Sequence, residues 1–159
     1  MFMRDNLWLA SRLDRIWYAY FYDVEKANNV FVKFRGNWKN KFGHIKKSRH
    51  GDTEIVVNSL FKNERIPEFI VDLTLAHELV HYMHGFNSPY PKRFDYPHKG
   101  NIVNRELIVR GFKEALRKEK HFMRHEWPRL YKDLAPDKSK QDLFDELFPR
   151  KVSKFKFFF

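Results

Sequence analysis

Leu75-Ala76-His77-Glu78-Leu79-Val80-His81 is the stretch from which the rest of the chain can be read. Pro67 stands ahead of it where a helix would begin, Glu68 follows at the positive end of the helix dipole, and Gly85 supplies a stop. The spacing therefore predicts one helix over residues 67–84. Phe69, Leu73, Ala76, Val80 and Met83 fall on one stripe of it, and Ile70, Thr74, His77, His81 and His84 on the adjacent one. A helix apolar around most of its circumference is a buried central helix. Histidines on such a helix need a reason.

Positions four apart lie one turn above each other, so His77 and His81 can turn both imidazoles towards one metal ion. Glu78 projects beside them, where it ligates poorly but can take a proton from a water whose pKa the metal has lowered, as a general base. Two buried histidines and a carboxylate are costly without a partner, and a metal supplies one. A catalytic zinc keeps three protein ligands and one open position. His98, at the end of the following loop, is the expected third ligand. Glu106, on the inward stripe of the next helix, is its rival; if His98 ligates, Glu106 is placed to orient a histidine. Zn2+, one per chain, is the default ion for such a donor set. Tyr96, Tyr90 and Tyr82 are candidate donors to an oxyanion, with Tyr96 first because it neighbours His98. His84 reads as a cleft-lining or partly exposed side chain, and His44, His50, His121 and His125 as ordinary surface residues.

Ahead of this helix, Asp5 or Asn6 can cap a helix reaching to about Tyr22, striped by Leu9, Leu13, Ile16, Trp17, Tyr20 and Val24. Strands are expected over residues 30–35, 42–48 and 53–58, the last being rich in β-branched residues. They read as a small antiparallel sheet. Behind the helix, residues 86–97 form a loop with three prolines, long enough to shape a site. A helix over 101–118 follows, with Ile102, Glu106, Val109, Phe112 and Leu116 near one face. Weaker helical pieces are expected at 121–127, 128–134 and 142–148. The fold class is thus α+β, a small sheet on an active-site helix with further C-terminal helices. Residues 1–135 form one domain, and 136–159 an extension ending in a basic, aromatic tail.

The chain has 159 residues, no cysteine and a formal charge of +11. That length suits a single domain able to bury its own core. The lack of cysteine excludes a disulfide scaffold, a thiol nucleophile and a cysteine-ligated zinc, and fits a cytoplasmic protein. No stretch is apolar enough to span a bilayer, so no membrane partner is expected. The N-terminus lacks the layout of a signal peptide. Residues 26–51 contain no acidic side chain, and Lys39, Lys41, Lys46, Lys47 and Arg49 there alternate with Phe31, Phe34, Trp38 and Phe42. Two readings stand. One is non-specific nucleic-acid contact; the other is a basic strand face whose rings are core.

The run from Gly43 to about Arg110 resembles a SprT-like zincin domain, related to the Spartan proteases and the minigluzincin-type peptidases. Glu54-Ile55-Val56-Val57-Asn58, then Pro67, then the His77-Glu78-Leu79-Val80-His81 stretch carry the likeness, and Tyr96-Pro97-His98-Lys99-Gly100 resembles the third-ligand segment. The resemblance implies zinc on His77, His81 and His98, Glu78 as general base, and substrate lying extended along an edge strand. The expected function is a zinc-dependent metallopeptidase hydrolysing unfolded or DNA-associated polypeptide. The alternative is a metal-stabilised binding module for nucleic acid or protein with little or no turnover. The tail residues Val152, Phe155, Phe157, Phe158 and Phe159 are expected to pack back, to plug the cleft or to bind a partner. Oligomeric state is left open.

Overall fold

Asp5 starts the first element of the fold: its carboxylate accepts from the Trp8 N–H at 2.8 Å and caps helix α1 (Asn6–Tyr20), a contact that contributes about 1 kcal/mol. The chain is described here from a computed structural model covering residues 4–136 and Leu147. Leu9, Leu13, Ile16 and Trp17, spaced by three and four, bury one face of α1. Arg4 is buried beneath it and donates to the carbonyls of Phe61, Asn63 and Ile66 at 2.8–3.2 Å, which offsets the desolvation of its charge. Arg12 ties α1 to the central helix, its Nε donating to Asp72 at 2.8 Å.

The sheet contains β1 (Val30–Phe34), β2 (Gly43–Lys47) and β3 (Thr53–Val57) in the order β1-β3-β2. β2 runs antiparallel to β3, but β1 runs parallel to it, so the sheet is mixed rather than antiparallel as expected. The connection between β1 and β2 explains the difference. Arg35 donates its N–H to the Val57 carbonyl at 2.9 Å and Ser59 donates to Gly36 at 2.9 Å, so β1 and β3 leave the sheet side by side. Residues 35–42 then cross the sheet end and deliver β2 to the far edge. The most apolar strand, β3, takes the centre, and the lysine-bearing strands take the edges. Glu54 on β3 receives Lys33 from one side and Lys46 from the other, both at 2.9 Å.

Helix α2 (Glu68–Met83) lies in the middle, packed against α1, α3, α4 and both β2 and β3. Both of its expected stripes are buried apart from Phe69, which is half-exposed. The single helix expected over 101–118 is instead two, α3 (Ile102–Val109) and α4 (Lys113–His125). The break is a Schellman closure: Phe112 N–H bonds Leu107 O at 2.9 Å, and Gly111, at φ 100°, bonds Ile108 O at 3.1 Å. Arg110 locks it by donating to Tyr20 O, Asp23 and Glu106 at 2.6–2.9 Å. Val109 consequently turns outward, 81% exposed, and leaves the stripe assigned to it.

Helix α4 runs through His125, and α5 (Trp127–Leu134) follows. Trp127 meets Phe42 and Phe61 edge-on and closes the core behind the sheet. Among the described residues, no helix is long and apolar enough to cross a membrane. The tail from Val152 to Phe159, and residues 142–148 apart from Leu147, lie outside the described residues.

Candidate metal centre and cleft

The end of α2 sets the site. Phe86 N–H bonds His81 O at 2.9 Å and Gly85 N–H bonds Tyr82 O at 3.1 Å, a second Schellman closure, and the Phe86 ring stands edge-on to the His81 ring at 6.0 Å. Gly85 has φ 83°, and a Cβ there would lie 2.3 Å from the Pro91 carbonyl oxygen, so only glycine lets the loop fold back over the helix end. The loop is then stapled down. Thr53 Oγ1 donates to Asn87 O at 2.8 Å, Asn87 Nδ2 to Ile45 O at 3.1 Å, and Arg93 N–H to His84 O at 2.9 Å. Held this way, it returns His98 to the face of α2 that carries His77 and His81.

The Nε2 atoms of the three histidines converge: His77 and His81 are 3.0 Å apart, His81 and His98 3.0 Å, His77 and His98 3.2 Å. Among the described residues these are the His, Cys, Asp or Glu side chains close enough together to hold a metal ion. Burial pushes the His77 imidazole down to about 3, helped by His98, and drives His81 far below its ordinary value. Burial lowers His98 as well. Three neutral nitrogens aimed at one point suit a cation better than any arrangement of protons. Tetrahedral ligands at about 2.0–2.1 Å from zinc would stand about 3.3 Å apart, close to the separations seen. The donor set therefore fits a divalent transition ion.

Glu78 is 4% exposed and faces the same cleft. Burial pushes its carboxyl up to about 8, against the pull of the Lys41 ammonium. A cation held by the neighbouring histidines would favour the carboxylate form. Gly43, at the start of β2, makes room for it. A Cβ on Gly43 would lie 2.8 Å from Thr74 Cγ2 and from Val56 O, and 3.3 Å from Glu78 Oε1.

The cleft has a volume of about 250 Å3, with the three histidines and Glu78 along one side. Residues 40–45 form the opposite side, and Phe86, Asn87, Pro97 complete it. The edge strand thus contributes a wall, and which of its residues do so is what a local reading of the sequence did not give. The long proline-containing loop was the available signal for Phe86 and Asn87. Nothing local in the sequence marks Phe42, Gly43 or Ile45.

Of the two candidates for third ligand, His98 joins the pair. Glu106 sits on α3 and accepts from Arg110 Nε at 2.9 Å. Tyr96 is 62% exposed and outside the cleft lining, with Lys99 over its ring at 5.6 Å. Tyr82 donates its hydroxyl to Asn28 and Tyr90 to Glu25 O, and neither lines the cleft. No tyrosine among the described residues lines the cleft. His84 is 3% exposed, packs against Phe94 at 4.9 Å and does not line the cleft. His44 is not an ordinary surface residue: it lines the cleft half-buried, and burial, with Lys41 and Lys46 adding to it, pushes its imidazole down to about 4.

The basic segment divides. Lys41 enters the cleft and Lys46 is spent on Glu54, while Lys39, Lys47 and Arg49 are exposed. Of its four rings, Phe34 and Phe42 are core, Trp38 is half-buried, and Phe31 is exposed. The core reading of the rings thus holds for two of them. No family model, curated protein or solved structure matches the chain.

Proposed function

We propose that this chain is a zinc-dependent metallopeptidase with a zincin-like, SprT-like core. The observation that carries the reading is the convergence of three imidazole Nε2 atoms within 3.0–3.2 Å beside a buried carboxylate, on the wall of an open cleft. His77, His81 and His98 would hold the ion. When bound, it supplies a Lewis acid that acidifies water and polarises a carbonyl. Glu78 accepts the proton of the attacking water on a carboxylate oxygen and returns it to the leaving amine. A purely structural ion site needs no such carboxylate, and this one opens onto a cleft rather than closing with a fourth ligand.

The edge strand offers a place for substrate. Ser48 N–H bonds Asp52 O at 2.8 Å and Asn58 N–H bonds Phe42 O at 2.8 Å, so even-numbered residues of β2 pair inward with β3. The N–H and C=O groups of Gly43, Ile45 and Lys47 then face the open edge, and Asn87 Nδ2 already meets Ile45 O there. An extended polypeptide can pair with this edge and lie across the metal centre, displacing the Asn87 amide. Lys39, Lys47 and Arg49, exposed on the same segment, would carry any recruitment to nucleic acid.

The test is metal content beside hydrolysis of an unfolded polypeptide. The parent is expected to hold one zinc, His98→Ala to lose it and Glu106→Ala to keep it. Glu78→Gln should keep the metal and lose at least about 100-fold in rate. A folded parent that takes up no zinc, or a Glu78→Gln variant as active as the parent, overturns the proposal. Binding of zinc without hydrolysis of any polypeptide would favour a metal-stabilised binding module.

A further inference from the structure

The 36–41 segment at one end of the cleft is built to a fixed shape. The indole of Trp38 lies where a side chain on Gly36 would be: a Cβ there would be 2.3 Å from the ring. Asn58, fully buried, donates its Nδ2 to Trp38 O at 2.7 Å and to Lys41 O at 2.9 Å. Trp127 Nε1 donates to Lys39 O at 2.9 Å. Three hydrogen bonds from two buried side chains thus hold the backbone of a surface segment, and that segment places the Lys41 ammonium 4.5 Å from the centre of the Trp38 ring.

Lys41 lines the cleft, and among the described residues the only other charged side chain lining it, histidines aside, is Glu78. Around these two the wall is largely apolar: Phe42, Ile45, Phe86 and Pro97. Burial lowers the Lys41 ammonium, with Glu78 opposing that shift, so the cation is partly desolvated and within the field of the reacting centre. A partly desolvated cation on a rigid backbone discriminates between ligands far better than a mobile surface lysine does. Among the described residues that line the cleft, the one carboxylate that would oppose a bound carboxylate is Glu78, and a cation held by the three histidines would offset it.

We propose that Lys41 is the specificity-determining residue of this cleft, anchoring a carboxylate of the bound polypeptide close to the bond that is cut. The carboxylate comes either from an aspartate or glutamate side chain or from a free chain terminus. The proximity to a cleaved bond rests on the peptidase reading; the anchoring itself does not.

Binding and cleavage are measured separately. Short fluorescein-labelled apolar peptides carry glutamate at successive positions, beside glutamine twins with amidated or free C-termini. Binding is followed by fluorescence anisotropy in a full-length, zinc-loaded Glu78→Gln background at constant salt. At least one glutamate or free-terminus peptide should bind about ten-fold more tightly than its neutral twin. Lys41→Met should erase that preference, Lys41→Arg should retain it, and Lys113→Met, an exposed cation on α4, should leave it intact. Glutamate dependence identifies a side-chain anchor, and loss on amidation identifies a terminal one. A preference below two-fold, a preference that survives Lys41→Met, or an equal loss in Lys113→Met overturns the proposal. If Lys41-dependent binding is seen but the zinc-loaded parent cleaves none of the peptides, the anchor stands and the peptidase reading fails. Cleavage with no Lys41-dependent preference does the reverse.

Discussion

Replacing Asn58 by alanine removes three hydrogen bonds at once: the two donated to Trp38 O and Lys41 O, and one accepted from Leu60 N–H at 3.1 Å. The residue is fully buried. A neutral hydrogen bond contributes about 1 kcal/mol net, and stranded carbonyls add a desolvation cost where water cannot reach them. Because the 38–41 loop can draw in water, the total should be about 2–4 kcal/mol, or roughly 6–12 °C in melting temperature for a chain of this size. Asn58→Asp separates the two roles. It keeps the acceptor for Leu60 but turns a carboxylate oxygen on two carbonyl oxygens. Its loss at pH 8 should equal or exceed that of alanine. Protonation restores a donor, so the folded-state pKa of that aspartate is raised above its unfolded value. The folded state then binds the extra proton, and stability is recovered as pH falls towards 4. Asn58→Ala should show no such recovery. Urea unfolding at pH 8 and pH 4.5 measures all of this. If alanine costs under about 1 kcal/mol, or aspartate at pH 8 costs less than alanine, the loop is not held as argued.

Three further outcomes follow from particular contacts. Burial pushes Glu119 up to about 7 and leaves its Oε2 without a partner. The folded state therefore keeps a proton that the unfolded chain has released, and stability is lost as pH rises from the ordinary carboxylate range through about 7. Glu119→Gln should flatten urea-unfolding stability between pH 5 and 8, and stabilise at pH 8 by up to about 3 kcal/mol; an unchanged slope refutes this. Gly43→Ala forces a Cβ to within 2.8 Å of Thr74 Cγ2 and Val56 O, so it should cost about 1–3 kcal/mol in thermal or urea unfolding, while a neutral result would mean that β2 moves away from α2 freely. A chelator should lower the melting temperature of the zinc-loaded parent, by the equivalent of about 4 kcal/mol where free zinc stands at a thousand times its Kd. His98→Ala should show no chelator effect, and an undiminished effect there would remove His98 from the ligand set.

The long, strongly periodic elements were legible in the sequence. Helix α2 begins and ends within a residue or so of where Pro67 and Gly85 placed it, and α1 starts at the Asp5 cap. β3 was recognisable from its β-branched run. The break between α3 and α4 had a local signal in Gly111 that the apolar repeat masked, because Val109 and Phe112 fit helical spacing whether or not the helix continues. The cleft residues His44 and Lys41 looked like ordinary members of a basic segment, since nothing within that segment says which side chains the β2 edge turns towards α2.

Sequence alone determined that two histidines and a carboxylate share a helix, because the period of the α-helix brings positions four apart onto one face. It also determined that this helix is buried, from the apolar residues around its circumference. Only the tertiary structure decided that His98 closes the set, since that depends on a long loop folded over Gly85 and stapled through Asn87 to β2 and β3. The pairing of β1 parallel to β3 was equally beyond a local reading. A strand's pattern says which face is buried but not which neighbour it takes, and here the neighbour is chosen by the crossing of residues 35–42 that Asn58 holds in place.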